Sequence, residues 1–339
     1  MALVGLMVLV VVAGVCALRA ANGRHREMRV ASVVFVAAVV GTFALSVEQW
    51  TPNVGAAPSG ATGASLAQVL ALVKASAAIT RVPANLDPPV SQAVEDDGPG
   101  NYANLGYPPS QCVQGTGADS VPACVFGNPR GSTTAVLYGD SHAGMWFQAI
   151  NDVAKRDGLK LIVLFKDGCP AVLFPVHSIT QQAVPFPQCV DWHKSVVARI
   201  NRIHPNLLIV SQLIAKDPHN VAYSPAQWGA ATRKILRTLH AGREVVIGNT
   251  PVSKGPECLS RLSVARCRRA PGYALGPYSA EEKRAARAVG AQYVDPTKWF
   301  CTSRCSPIIG HFDVYFDHFH VAVGYSKYLE DVLAQALGI

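Results

Sequence analysis

The sequence predicts an α/β chain: a three-layer α/β/α domain built on a parallel sheet, preceded by two transmembrane helices. Three observations predict it. From Thr133 onward, short apolar runs alternate with stretches of helical periodicity, the pattern of strands joined by single crossover helices. The front of the chain holds two uncharged apolar stretches, Met1–Leu18 and Val30–Val47, each 18 residues long and so at the short end of what spans a bilayer. Finally, the residues suited to nucleophilic chemistry stand just after the first of these strands and just before the last helix.

The front comes first. Arg19–Arg29, between the two apolar stretches, carries four arginines and one glutamate. An excess of basic residues marks the cytoplasmic loop, so both flanking ends are expected outside. A cleaved signal peptide is the competing reading of Met1–Leu18, but its basic residues would precede the apolar run instead of following it. Residues 1–48 are therefore read as a membrane hairpin that leaves the catalytic domain on the extracytoplasmic side. Met1 opens directly on an apolar run, which reads as the tail of a longer membrane protein. Residues 49–64 are rich in Pro, Gly, Ala and Ser without charge beyond Trp50, a flexible linker. Residues 65–132 form a helical and irregular lead-in, with apolar spacing at Leu66, Val69, Leu70 and Val73.

Cysteine usage fits an oxidising compartment. Cys16 lies in the first apolar stretch, and the other eight follow the second. An even number outside the membrane implies disulfides, and sequence neighbours pair as Cys112 with Cys124, Cys169 with Cys189, Cys258 with Cys267, and Cys301 with Cys305. No paired CxxC or CxxC…HxxxH spacing points to zinc, and no metal or other cofactor is implied. Net charge is +8, with Arg261, Arg266, Arg268 and Arg269 clustered in one segment. That cluster reads as a solvated loop, or as an attractor of anionic glycan or lipid head groups. No nucleic-acid motif accompanies it.

Residues 133–339 carry the domain. Strands are expected at 134–138, 160–165, 207–211, 244–248 and 291–294. Helices are expected at 143–156, 191–203, 225–240, 280–289 and 321–337. Segments 167–187 and 250–278 are long, Gly/Pro-rich connections that hold cysteines, and long ordered loops of this kind tend to be functional.

The stretch Tyr138-Gly139-Asp140-Ser141-His142-Ala143-Gly144 ends the first strand and opens a helix. A serine there is exposed at the carboxyl end of the sheet, where ligands of open α/β sheets bind. Backbone N–H groups of a helix start are ready to hold an oxyanion. In isolation Ser141 also reads as a helix cap. The segment Tyr315-Phe316-Asp317-His318-Phe319-His320 shifts the balance. Read as a helical turn, it puts Asp317 and His320 on one face, where Asp317 orients His320 and His320 takes the proton of Ser141. His142 is read as a substrate-binding residue or as cover for the loop. Asp140 is read as holding the turn and His318 as structural. Trp146, Trp192 and Trp299 read as core anchors.

These motifs, with Lys166-Asp167-Gly168-Cys169-Pro170, Cys189-Val190-Asp191-Trp192 and Trp299-Phe300-Cys301, resemble the SGNH (GDSL-type) domain fused to the C-terminus of acyltransferase-family-3 membrane proteins. The resemblance covers roughly residues 65–339, and residues 1–47 are similar to the last two membrane helices before such a domain. It implies an SGNH hydrolase-like fold, Ser141 as nucleophile, Asp317 as orienting acid and His320 as general base. It implies oxyanion donors from the N–H of Ser141 and from Gly168. The superfamily's third donor, an asparagine, has no counterpart here; Gln212 and Asn249 are the substitutes in reach. The resemblance further implies O-acyl transfer, most often of acetyl, from a membrane acyltransferase domain or protein to an envelope glycan or glycolipid. The alternatives are an esterase acting on the same esters and a glycan-binding module without catalysis.

Overall fold

The computed structural model describes residues 63–96, 105–113, 121–122, 124–173, 186–215 and 221–339. The expected membrane hairpin and nearly all of the linker lie outside the described residues. No described helix is long and apolar enough to cross a membrane.

The chain runs α1 (Leu66–Ser76), α2 (Val90–Asp96), β1 (Cys124–Gly127), β2 (Thr134–Gly139), α3 (Ser141–Met145), α4 (Phe147–Arg156), β3 (Lys160–Phe165), α5 (Pro187–Ile203), β4 (Leu207–Ser211), α6 (Pro225–Leu236) and β5 (Glu244–Ile247). It continues through α7 (Pro256–Arg261), α8 (Val264–Cys267), α9 (Gly276–Arg287), β6 (Gln292–Val294), β7 (Ile308–Ile309), β8 (Phe312–Asp313), α10 (Val323–Tyr328) and α11 (Glu330–Leu337). Several starts are set by local chemistry. Ser65 with Gln68 and Ser224 with Gln227 form capping boxes at α1 and α6, which satisfy amides that a helix start leaves without partners.

The main sheet has the order β1-β3-β2-β4-β5-β6. Strand alternation divides the apolar residues between its two faces. Ala135, Leu137, Leu161, Val163 and Ile209 join one core with Ile150 of α4, Tyr325 of α10 and Leu333 of α11. Val136, Tyr138, Leu164, Leu208 and Val210 join the other with Trp192 of α5, Trp228 of α6 and Ala286 of α9. Strands buried on both faces read as continuous apolar runs, which is why β2, β3 and β4 stand out in the sequence. Val69 and Val73 of α1 enter the first core, so the lead-in shares the domain's interior.

The sheet is mixed, and this corrects the expectation of a parallel one. β1 runs antiparallel to β3, pairing Cys124 with Val163 through Gly127 with Lys160. β1 is only four residues long, and Val125 is 41% exposed; such a short edge strand lacks the apolar run that marks its buried neighbours. Two expected helices are also broken, 143–156 at Trp146 and 321–337 at Leu329. The long segment 250–278 contains α7 and α8, joined by a disulfide between Cys258 and Cys267. The other disulfides link Cys112 to Cys124, Cys169 to Cys189 and Cys301 to Cys305.

The topology locates a crevice. From β2 the chain crosses one face of the sheet to β3, then returns over the other face to β4 on the opposite side of β2. The carboxyl end of β2 is thus the switch point, where an α/β sheet opens to ligand. Gly139 lets the strands close tightly there. Its φ is +153°, and a Cβ would sit 1.8 Å from the carbonyl oxygen of Ser211 on β4. Gly139→Ala is expected to lower stability by roughly 3 kcal/mol or more, combining backbone strain with steric overlap. Urea unfolding monitored by tryptophan fluorescence checks this; a midpoint unchanged from wild type contradicts it.

Candidate active site

Asp140 organises the turn after β2. It is the N-cap of α3, its carboxylate accepting from the amide of His142 at 2.9 Å. The same carboxylate accepts from the amide of Leu213 at 2.8 and 3.0 Å, tying the Ser141 turn to the loop after β4. Burial raises its pKa to about 7, against the lowering by those two amides. Because Asp140 supplies the cap, Ser141 is left at the first helical position with its side chain available. Ser141 is 4% exposed.

The second half comes from residues 315–321. This segment is not helical. It is a closed loop, with Tyr315 bridged to Val321 and the amide of Phe316 donating to the carbonyl of His320 at 3.0 Å. Asp317 shapes it: Oδ1 accepts from the amides of Phe319 and His320, and Oδ2 contacts Nδ1 of His320, all at 2.7 Å. The pairing of side chains three apart is therefore made by a carboxylate that grips its own loop. Despite burial, the positive field and hydrogen bonds of His320 and the two amides hold the Asp317 pKa down to about 2. Burial also pulls His320 down, but the charge and hydrogen bond of Asp317, helped by Asp140 and Asp167, carry its pKa above the ordinary value.

The two halves meet through packing. The amide of Val321 donates to Sδ of Met145 at 3.3 Å, and the Ser326 hydroxyl donates to the Met145 carbonyl at 3.0 Å. His142 lies edge-on to His320, ring centroids 5.3 Å apart. His142 is fully buried, and neither of its ring nitrogens has a hydrogen-bond partner among the described residues. Burial and the neighbouring His320 push its pKa well below the ordinary value, so it is a neutral imidazole. Nε2 of His320 is likewise buried without a partner. In this arrangement Ser141 is not hydrogen-bonded to Nε2 of His320.

The oxyanion candidates fare unequally. Gly168 follows β3 in a turn with φ +67°. The amide nitrogen of Gln212 donates to Glu282 at 2.8 Å and lies 3.5 Å from the Thr232 hydroxyl, inside a buried network with α6 and α9. Asn249 accepts from the amide of Ile214 and donates to the carbonyl of Thr250. It faces a separate cavity of about 260 Å³, lined also by Tyr273, Lys283, Tyr293 and Asp295.

Other singled-out residues hold structure. His318 pairs with Glu257 at 2.6 Å. Trp146, Trp192 and Trp299 are buried. Arg268 donates to the carbonyl of Ile79 at 2.7 Å, and Arg269 stacks on Tyr273 at 4.1 Å while donating to Ser253. Cys169, Cys189 and His193 are close enough together to hold a metal, but both sulfurs are joined in a disulfide, and the thiolate is what ligates.

Sequence reasoning missed Tyr107 and Asp167. Tyr107 sits in the aperiodic run Gly106-Tyr107-Pro108-Pro109, which offers no spacing to a catalytic motif. Asp167 stands within the Lys166–Pro170 segment, and its charge acts on both His320 and Tyr107; its position next to Gly168 was the available signal.

The fold defines a doubly wound α/β protein in which the Asp317–His320 pair packs beside the turn that carries Ser141, at the carboxyl end of β2. Residues 111–335 match the family described as the SGNH domain fused to AT3 domains. The chain belongs to that family. Comparison with curated proteins finds no match. Among solved structures, the chain is similar to the periplasmic domain of a lipopolysaccharide acetyltransferase from Salmonella ser. Paratyphi A, at 13% identity and a TM-score of 0.48, covering 81% of this chain and 98% of that one. It is also similar to Est24, a carbohydrate acetylesterase from Sinorhizobium meliloti, at 12% identity and a TM-score of 0.40, covering 61% of this chain and 99% of that one.

Proposed function

We propose that this chain is a membrane-anchored, extracytoplasmic O-acyltransferase that works through an acyl-enzyme on Ser141. The observation that carries the reading is the Asp317–His320 pair at 2.7 Å, whose Nε2 is buried and unpaired beside the Ser141 turn. Asp317 holds Nδ1–H, so Nε2 is the basic nitrogen. Catalytic hydrogen bonds often tighten only when substrate binds; here the Ser141 hydroxyl turns to donate to Nε2 of His320. Its oxygen attacks the acyl carbonyl, the proton passes to Nε2, and the leaving group departs with that proton. The N–H groups of Ser141 and Gly168 are the assigned oxyanion donors. In the second half, His320 takes the proton of an acceptor hydroxyl, which attacks the acyl group and frees Ser141.

Fusion to AT3 domains in this family supports an acyl donor delivered by a membrane acyltransferase domain or protein. The acceptor in this reading is a hydroxyl of an envelope glycan or glycolipid. Transfer is favoured over ester hydrolysis by the near-complete burial of Ser141, at 4% exposure, which shields an acyl-enzyme from water. The test incubates the purified chain with p-nitrophenyl acetate, with and without an envelope-type polysaccharide. Acetyl ester appearing on the polysaccharide, with nitrophenol release accelerated by it, is the expected result. Release unaffected by any acceptor and lost on Ser141→Ala identifies an esterase instead. No turnover with either identifies a binding module.

A further inference from the structure

We infer that the cavity faced by Asn249 is an acceptor subsite, which holds a neutral sugar residue of the glycan next to the residue being acylated. The inference rests on the acyl-transfer reading and names where its acceptor is gripped. β2, β4, β5 and β6 run parallel, so the loops after all four open on the edge of the sheet that carries Ser141. The cavity, of about 260 Å³, lies on that edge, between the residues that follow β5 and β6 and the segment leading into α9. This is the side on which an α/β sheet takes its ligands.

One stretch of chain joins the cavity to the candidate active site. Residues 249–252 wall the cavity, and the same stretch grips the loop of Asp317 and His320. The Thr250 hydroxyl donates to the carbonyl of Phe319 at 2.9 Å, and the Ser253 amide donates to that of His318 at 2.7 Å. Asn249 reaches the other half, accepting from the amide of Ile214 at 3.2 Å, next to the Leu213 amide that Asp140 holds. A ligand in the cavity is therefore separated from the Asp317 loop by this single stretch. A glycan is a chain of linked rings, so one ring seated here sets the reach and orientation of its neighbour.

The lining selects a sugar. Lys283 and Asp295 stand 3.9 Å apart, their side chains 36% and 52% exposed. An ion pair so long and so wet contributes little, so both heads can turn to ligand hydroxyls at small cost. Their charges cancel, and an anionic ligand would meet a carboxylate beside the one cation. Thr297 adds a hydroxyl, and Tyr273 and Tyr293 add ring surface; the Tyr273 ring is held by Arg269, stacked on it at 4.1 Å. Donors and acceptors set beside aromatic carbon suit the hydroxyl rim and apolar face of a pyranose. The volume falls below the ~300–1,000 Å³ of sites for drug-sized ligands, which leaves room for one ring.

The test uses the full chain in a detergent without sugar head groups, with Lys283→Met and Asp295→Asn as variants. Methionine is as good a helix former as lysine. Asparagine still caps the turn in which Asp295 accepts from the Thr297 amide at 3.1 Å. Thermal unfolding checks that both variants fold. With p-nitrophenyl acetate alone, each is expected to stay within about twofold of wild type. With the envelope-type polysaccharide as acceptor, its KM is expected to rise about 3–10-fold in each, the worth of one hydrogen bond. The kcat at saturating polysaccharide should hold, the mark of binding that ground and transition states share. Methyl α-D-gluco-, galacto- and mannopyranoside are the direct probes: saturation-transfer NMR should detect at least one on wild type and a weaker signal on both variants. A polysaccharide KM within about twofold of wild type in both variants overturns the subsite. So does a slowing of the polysaccharide-free reaction as large as that of transfer, since the two residues then act through the Asp317 loop. Tighter binding of methyl D-glucuronide than of every neutral glycoside overturns the choice of a neutral sugar. If a neutral glycoside binds wild type and not the variants, yet no polysaccharide gains acetyl, the subsite is supported and the transfer reading beneath it is overturned.

Discussion

Ser141→Ala is expected to lower turnover of p-nitrophenyl acetate by about 10⁴-fold or more, with stability nearly unchanged. The magnitude follows from loss of the covalent path: without the nucleophile, binding and the oxyanion site alone remain. Stability is spared because the substitution removes one hydroxyl, worth about 1 kcal/mol at most. For a domain of this size that is a shift of roughly 2–4 °C in Tm. The cap of α3 is untouched, since Asp140 provides it. If Ser141 only capped the helix, the ordering of effects would reverse, with a measurable loss of stability and little loss of rate. Mass spectrometry of acetylated wild type, quenched during turnover, should place the acyl group on the peptide carrying Ser141. A residual rate within tenfold of wild type, or an adduct elsewhere, would sink the assignment.

What was legible in the sequence was what burial on both faces imposes. β2, β3, β4 and β5 are apolar along nearly their whole length because helices cover both sides of the sheet. β1 escaped because an edge strand of four residues carries too few inward-facing positions to show a period. The GDS turn was legible because Gly139 and Asp140 each answer to a local demand, close approach to Ser211 and capping of the helix that Ser141 opens, although Ser141 itself is buried and not exposed as expected. Tyr107 was not legible, because a side chain delivered by an aperiodic loop reaches the site through tertiary packing on Phe165 and Gly144. The partner of Gln212 was hidden for a related reason. Its position after β4 is correct for a donor, but a buried carboxylate at Glu282 takes its amide, and an unpaired buried carboxylate would be costly. The same spacing rule that placed Asp317 and His320 together was right about proximity and wrong about its cause, since the loop is held by Asp317 and not by a helical turn.

That grip makes Asp317→Asn the sharper probe of mechanism. Asparagine fits the same space, and its oxygen still accepts from the amides of Phe319 and His320. Its nitrogen, however, then faces Nδ1 of His320 as a donor. His320 must present a lone pair at Nδ1 and carry its proton on Nε2, the tautomer unable to take the proton of Ser141. The expected loss in kcat is about 10⁴-fold, as for the equivalent change in a Ser-His-Asp triad. The pH profile supplies an independent sign. In wild type Asp317 raises the His320 pKa above its ordinary 6.5, so kcat/KM should rise with pH through a midpoint above that value. In Asp317→Asn the charge and its hydrogen bond are gone, burial prevails, and the acid limb should move below it. Stability follows linkage with opposite signs for the two partners. The His320 contribution is full below 6.5 and fades as pH rises through the elevated folded value. The Asp317 contribution is full above 3.8 and fades as pH falls through about 2. The wild-type advantage over Asp317→Asn in urea unfolding should therefore be greatest between those limits and shrink on either side. An advantage that does not vary with pH, or an acid limb that stays in place, would mean that Asp317 shapes the loop without governing the charge on His320.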